Sequence, residues 1–92
     1  VVAPGVYDGL MARLVAGAGF RAAYMTGAGT AVSNGLPDYG LMTMTEMAGN
    51  AARIASAAPG LAVIADADTG FGNELNITRA VREYERAGVV AI

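Results

Sequence analysis

Two carboxylates stand two residues apart at the end of an apolar run: Leu61-Ala62-Val63-Ile64-Ala65 leads straight into Asp66 and Asp68. On a β-strand, residues i and i+2 point to one face. Paired acids at the end of a buried strand are costly unless something compensates them. A divalent cation that prefers oxygen ligands is a natural partner, and α/β folds place their sites at the C-terminal ends of parallel strands. The competing explanation is two solvated acids that cap the Thr69-Gly70 turn. The segment is not an EF-hand, because the third acid and the rest of that loop are missing.

A second candidate is Thr26-Gly27-Ala28-Gly29-Thr30. Glycines let backbone N–H groups turn toward an anion, and Thr26 adds a hydroxyl. The same residues also suit a plain flexible turn, and they lack the Gly-Lys of a P-loop. Asp38, within Gly35-Leu36-Pro37-Asp38-Tyr39-Gly40, reads either as a turn acid or as a loop acid able to meet Asp66 and Asp68. Tyr7 and Tyr24 close strand candidates and suit either a site or the core. Met25, Met42, Met44 and Met47 suit packing. Gly17-Ala18-Gly19-Phe20-Arg21-Ala22 spells G-x-G-x-x-A, but it lies between a helix and the next strand. A dinucleotide fingerprint needs the reverse order, so this stretch reads as a helix C-cap.

The elements that must position these residues alternate. Val1 to Val6 is a short strand candidate. Asp8 can cap a helix with Leu10, Met11, Leu14, Val15 and Ala18 on its apolar face, ended by Gly17 and Gly19. Phe20 to Met25 is a second strand, and residues 26–42 read as a long loop. Thr43-Met44-Thr45-Glu46 fits a capping box; Met47, Ala51, Ile54, Ala55 and Ala58 then trace a helix stripe stopped by Pro59-Gly60. Leu61 to Ala65 is a third strand. Asn73 caps a helix with Ile77, Ala80, Val81 and Tyr84 on one face. Gly88 ends it, and Val89 to Ile92 begins a fourth strand. This β-α-β-α-β-α-β order predicts an α/β fold with a parallel sheet covered by helices. An open doubly wound sheet and a (β/α)8 barrel both fit.

Composition limits the partners. The chain has 92 residues, 54% apolar and only 15% charged, with a formal net charge of -2; soluble domains average about 25% charged residues. Disorder is excluded, and so little surface of its own reads as a piece of a bigger domain. The six cationic residues are all Arg and are scattered, which argues against nucleic acid. No run approaches the ~20 residues of a membrane span. No signal peptide is visible, and a cytoplasmic location is expected. Cys and His are absent, so any chemistry here uses carboxylates, hydroxyls and backbone.

Four stretches then carry a resemblance: Pro4-Gly5-Val6-Tyr7-Asp8, Tyr24-Met25-Thr26-Gly27, Gly35-Leu36-Pro37-Asp38 and Ala65-Asp66-Ala67-Asp68-Thr69-Gly70-Phe71-Gly72-Asn73. In this order, over essentially the whole chain, they resemble the isocitrate lyase / phosphoenolpyruvate mutase superfamily. The likeness is greatest to its 2-methylisocitrate lyase and carboxyphosphonoenolpyruvate phosphonomutase branch. The resemblance implies a (β/α)8 TIM barrel, with residues 1–92 as the N-terminal part of a single barrel domain holding about its first three and a half βα units. It implies Mg²⁺ at the C-terminal face, with Asp66 as direct ligand and substrate contact. Asp68 and Asp38 would serve metal and catalysis largely through waters. Thr26, Gly27 and Ala28 would hold a substrate carboxylate or phosphonate, and Tyr24 would line the pocket. Thr26 replaces the more usual serine but keeps the hydroxyl.

The activity so implied is Mg²⁺-dependent carbon–carbon cleavage of a small 2-methylisocitrate-like di- or tricarboxylate through an enolate. The alternatives are a P–C bond phosphonomutase and a non-catalytic barrel fragment. Family members usually assemble as homotetramers. They also use a further acid on the next strand and, in the lyases, a loop Cys as general acid. Neither lies in these 92 residues, so this stretch alone is not expected to complete the reaction.

Overall fold

A computed structural model describes residues 1–92. The first strand, β1 (Gly5–Val6), is shorter than expected. Helix α1 (Gly9–Gly17) starts where the Asp8 carboxylate accepts the Met11 N–H at 2.8 Å. It ends as the G-x-G-x-x-A reading requires. Gly19 takes φ +92°, the Gly19 N–H donates to the Ala16 carbonyl, and the Phe20 N–H donates to the Val15 carbonyl. That left-handed stop favours glycine. Leu10 and Leu14, expected on the buried face, are exposed; Ala12 is the buried residue of α1, with Met11 and Val15 half-buried.

Strand β2 (Ala22–Met25) runs into a helix rather than a loop. Helix α2 (Gly27–Ser33) overturns the reading of residues 26–42 as irregular throughout. Two glycines in the first turn are poor helix formers. Close packing keeps Gly29 a glycine, since a Cβ there would meet Thr26 Cγ2 at 2.5 Å and Tyr7 Cβ at 3.3 Å. The helix is secured at both ends. Thr26 caps Gly29, the Thr30 hydroxyl donates to the Thr26 carbonyl at 2.7 Å, and the Asn34 amide donates to the Thr30 carbonyl.

Helix α3 (Met44–Ala57) follows the expected capping box: the Thr43 N–H donates to Glu46 at 2.7 Å and the Glu46 N–H donates to the Thr43 hydroxyl at 3.2 Å. Its buried face is Met47, Asn50, Ala51 and Ile54. After β3 (Ala62–Ala65), Asn73 caps α4 (Glu74–Arg86). Ala80 and Tyr84 of α4 are buried, whereas Ile77 and Val81, expected beside them, are exposed. Strand β4 (Val89–Ala91) follows Gly88.

The four strands are parallel and ordered β1-β2-β3-β4, as in the chain. A doubly wound sheet reverses its order at a switch point. This sheet does not reverse, and its winding is that of a barrel. Helix α3 packs between α1 and α4, so these helices form one layer. Val6, Ala23, Met25, Val63, Ala65 and Val89 join that layer in one core with Ala12, Met47, Ala51, Ile54 and Tyr84. On the opposite face Gly5, Tyr24, Ile64 and Ala91 lie in register across the sheet. That uncovered face corresponds to a barrel interior, where side chains stack in layers.

Candidate active site

Asp66 is the last residue tied to the sheet. Its N–H donates to the Met25 carbonyl at 3.1 Å, just beyond the β2–β3 ladder. Strand parity places its side chain on the Tyr24–Ile64 face. The Asp66 carbonyl accepts the Tyr84 hydroxyl at 2.9 Å, and Oδ1 accepts the Asp68 N–H at 2.9 Å. The carboxylate lies against the start of α2: a Cβ at Gly27 would stand 2.9 Å from Asp66 Cγ. Gly27 is therefore glycine for want of space, not for turn geometry.

The strand rule that first paired Asp66 with Asp68 stops at Asp66. The chain turns, and Asp68 takes a left-handed φ of +46°. The turn-capping alternative is partly realised, because Asp66 caps the Asp68 amide. Even so, Asp68 comes back to the site. It faces Asp38 across a narrow crevice also lined by Gly27, Gly40 and Met42. Burial, then the charges of Asp66 and Asp38, push the Asp68 carboxyl above its ordinary range. Burial, then Asp66, likewise raises the Tyr24 phenol. A cleft of about 310 Å³ opens beside them, lined by Tyr24, Asp66, Asp68, Thr69 and Gly70.

On the α2 side, the Gly29 N–H goes to the Thr26 hydroxyl oxygen and the Thr30 N–H to the Thr26 carbonyl. The N–H groups of Gly27 and Ala28 have no protein acceptor, as expected in a first helical turn. Thr26, Gly27 and Ala28 thus stand next to Asp66, and Tyr24 shares its cleft. All the expected residues gather at one end of the sheet. Four others matter that were given no role in the site: Thr30 and Asn50, which brace α2, and Tyr84 and Phe71, which brace the turn after β3. Asn50 was detectable as a polar residue on the Met47–Ala51–Ile54 stripe. Tyr84 read only as a helix-face residue.

No group of three or more acidic, His or Cys side chains is close enough to form a complete metal cage within these residues. The donor set nevertheless suits Mg²⁺, which takes one or two carboxylates and completes its shell with water and substrate. Asp38, Asp66 and Asp68 repel one another, and neither ion pair of the chain, Arg79–Glu83 and Arg86–Glu83, neutralises them.

The family model for phosphoenolpyruvate phosphomutase matches residues 1–92. The chain belongs to this family. Among relatives, the 2,3-dimethylmalate lyase of Eubacterium barkeri is 57% identical over all of this chain and 32% of its own length. A 2-methylisocitrate lyase of Aeropyrum pernix is 48% identical over 100% and 30%. The crystal structure of 2,3-dimethylmalate lyase, a PEP mutase/isocitrate lyase superfamily member, superposes with a TM-score of 0.92 at 52% identity, covering 97% of this chain and 32% of that one. A phosphonopyruvate hydrolase, solved with oxalate and Mg²⁺, gives 0.87 at 34% identity, over 92% and 30%. The chain spans about 30% of the length of the curated relatives it matches. Its α/β fold is the N-terminal part of the TIM barrel of this superfamily.

Proposed function

We propose that residues 1–92 are the N-terminal part of a single barrel domain that cleaves a carbon–carbon bond in a small 2-hydroxy di- or tricarboxylate, with Mg²⁺ as cofactor. The observation that carries this reading is the meeting of Asp66 with the first turn of α2, beside two further acids that no protein cation neutralises. Asp66 and Asp68 would hold the metal, with Asp38 steadying its waters. The metal supplies Lewis-acid stabilisation of negative charge that develops on the substrate.

The chain's own residues bind and orient. The Thr26 hydroxyl and the N–H groups of Gly27 and Ala28 would grip a substrate carboxylate, in the manner of preorganised anion donors. Tyr24 would wall the cleft and restrict water. In the cleavage, the substrate hydroxyl would pass its proton, through a water, to the acid pair Asp38 and Asp68, and would become a carbonyl as the adjacent C–C bond breaks. The electron pair goes to the carboxylate-bearing carbon, which forms an enolate and then takes a proton. The donor of that proton lies outside residues 1–92. A homotetramer in the cytoplasm remains part of the same proposal.

The family model's phosphomutase name favours one second reading, in which the same site works on a P–C bond. Incubating the full-length protein and Mg²⁺ with 2-methylisocitrate, 2,3-dimethylmalate and phosphonopyruvate separates the two. Pyruvate release from a hydroxy acid supports the lyase. Turnover of phosphonopyruvate alone supports the mutase or a hydrolase. Turnover of none leaves the non-catalytic alternative.

A further inference from the structure

The Asp66 backbone is held on both of its polar groups. Its N–H donates to the Met25 carbonyl at 3.1 Å. Tyr84, 1% exposed on α4, donates its hydroxyl to the Asp66 carbonyl at 2.9 Å. The ring is held in turn. Phe71 stacks on it with centroids 6.3 Å apart and planes at 28°. To do so Phe71 adopts φ +64°, between Gly70 at +92° and Gly72 at +143°. An aromatic L-residue rarely takes that conformation, and such strain persists only where surrounding structure holds it.

We propose that Tyr84 is a positioning residue for Asp66: its hydroxyl, steadied by the Phe71 stack, fixes the peptide that aims the Asp66 carboxylate at the metal. This rests on the reading of Asp66 as a metal ligand. The other groups of Asp66 are already engaged, the N–H by Met25 and Oδ1 by the Asp68 amide, while the side chain rests on Gly27. The carbonyl is the remaining handle, and Tyr84 reaches it from α4, whose Ile77, Ala80 and Val81 also line the cleft. Partners outside the immediate ligand shell commonly set metal affinity by orienting the ligand.

The test is Mn²⁺ affinity of the metal-stripped full-length protein, measured by water proton relaxation, with thermal midpoints recorded in parallel. Tyr84→Phe keeps the ring and the stack and removes only the donor. It is expected to weaken Mn²⁺ binding about 10- to 100-fold. Ile54→Ala, a core truncation remote from Asp66, lowers the midpoint but leaves Mn²⁺ affinity unchanged, so general destabilisation is separated from positioning. If Asp66→Asn abolishes binding while Tyr84→Phe stays within twofold of wild type, the inference is overturned and the metal reading stands. If Asp66→Asn binds as wild type does, the metal reading itself falls. Should Tyr84→Phe not fold, Phe71→Leu decides: weaker Mn²⁺ binding supports the inference, and unchanged binding overturns it.

Discussion

Gly27 is the residue at which the site tolerates least change. A methyl group there would meet the Asp66 carboxylate, whose Cγ would be 2.9 Å away. Gly27→Ala is therefore expected to displace Asp66 and lower kcat/KM of the full-length protein about 100-fold. Steady-state kinetics with circular dichroism as a folding control would measure it; near-wild-type activity would contradict the close approach. Asp68 gives a pH prediction. Burial, then Asp66 and Asp38, raises its carboxyl above the ordinary 3.8. A raised folded-state value means that Asp68 stabilises the metal-free fold fully below the ordinary value, and that this contribution is lost as pH rises through the raised one. Thermal midpoints of chelator-treated protein should show a smaller loss between acid and neutral pH in Asp38→Asn. At this scale Asp66 was legible, because an acid ending an apolar strand has few explanations. The route of Asp68 was not, because strand parity holds only while the chain is a strand, and the turn begins after Asp66.

Among elements, those with local signals were legible. Helix α3 has its capping box at Thr43 and Glu46, and α4 its cap at Asn73, as the sequence patterns indicate. Helix α2 was not, because Gly27-Ala28-Gly29 carries no local preference for helix. Its local bonds at Thr26, Thr30 and Asn34 are joined by a brace distant in sequence: Asn50 donates to the Tyr7 carbonyl at 3.0 Å and to the Thr30 hydroxyl at 3.2 Å. Asn50→Ala strands those two acceptors in a buried setting. It is expected to cost roughly 1–3 kcal/mol, read from urea denaturation of the full-length protein. No change would show that α2 stands without this brace. Glu46 adds a pH effect of opposite sign to that of Asp68. Hydrogen bonding from the Thr43 backbone lowers its carboxyl below 4.5. The stability it lends to α3 is present above that ordinary value and lost as pH falls through the lowered one.

At the scale of the whole molecule, alternation of strands and helices was enough for a parallel α/β sheet but not for its winding. The strand order β1-β2-β3-β4 and the single helix layer decide for the barrel, and both are long-range facts. The low charge also finds its cause here. Leu10, Leu14, Val81, Val90 and Ile92 are apolar yet exposed, and the sheet has open edges at β1 and β4. A polypeptide of residues 1–92 on its own is therefore expected to self-associate. Sedimentation velocity would show a weight average that climbs with concentration; a stable monomer would contradict this. A Mg²⁺-dependent lyase built around Asp66 is the proposal from which the others follow. Its most direct test is pyruvate release from 2-methylisocitrate and 2,3-dimethylmalate by the full-length protein, assayed before chelation, after it, and after Mg²⁺ is restored. The expected result is release that chelation abolishes and Mg²⁺ recovers. Release that is indifferent to chelation, or none from either acid with Mg²⁺ present, would contradict it.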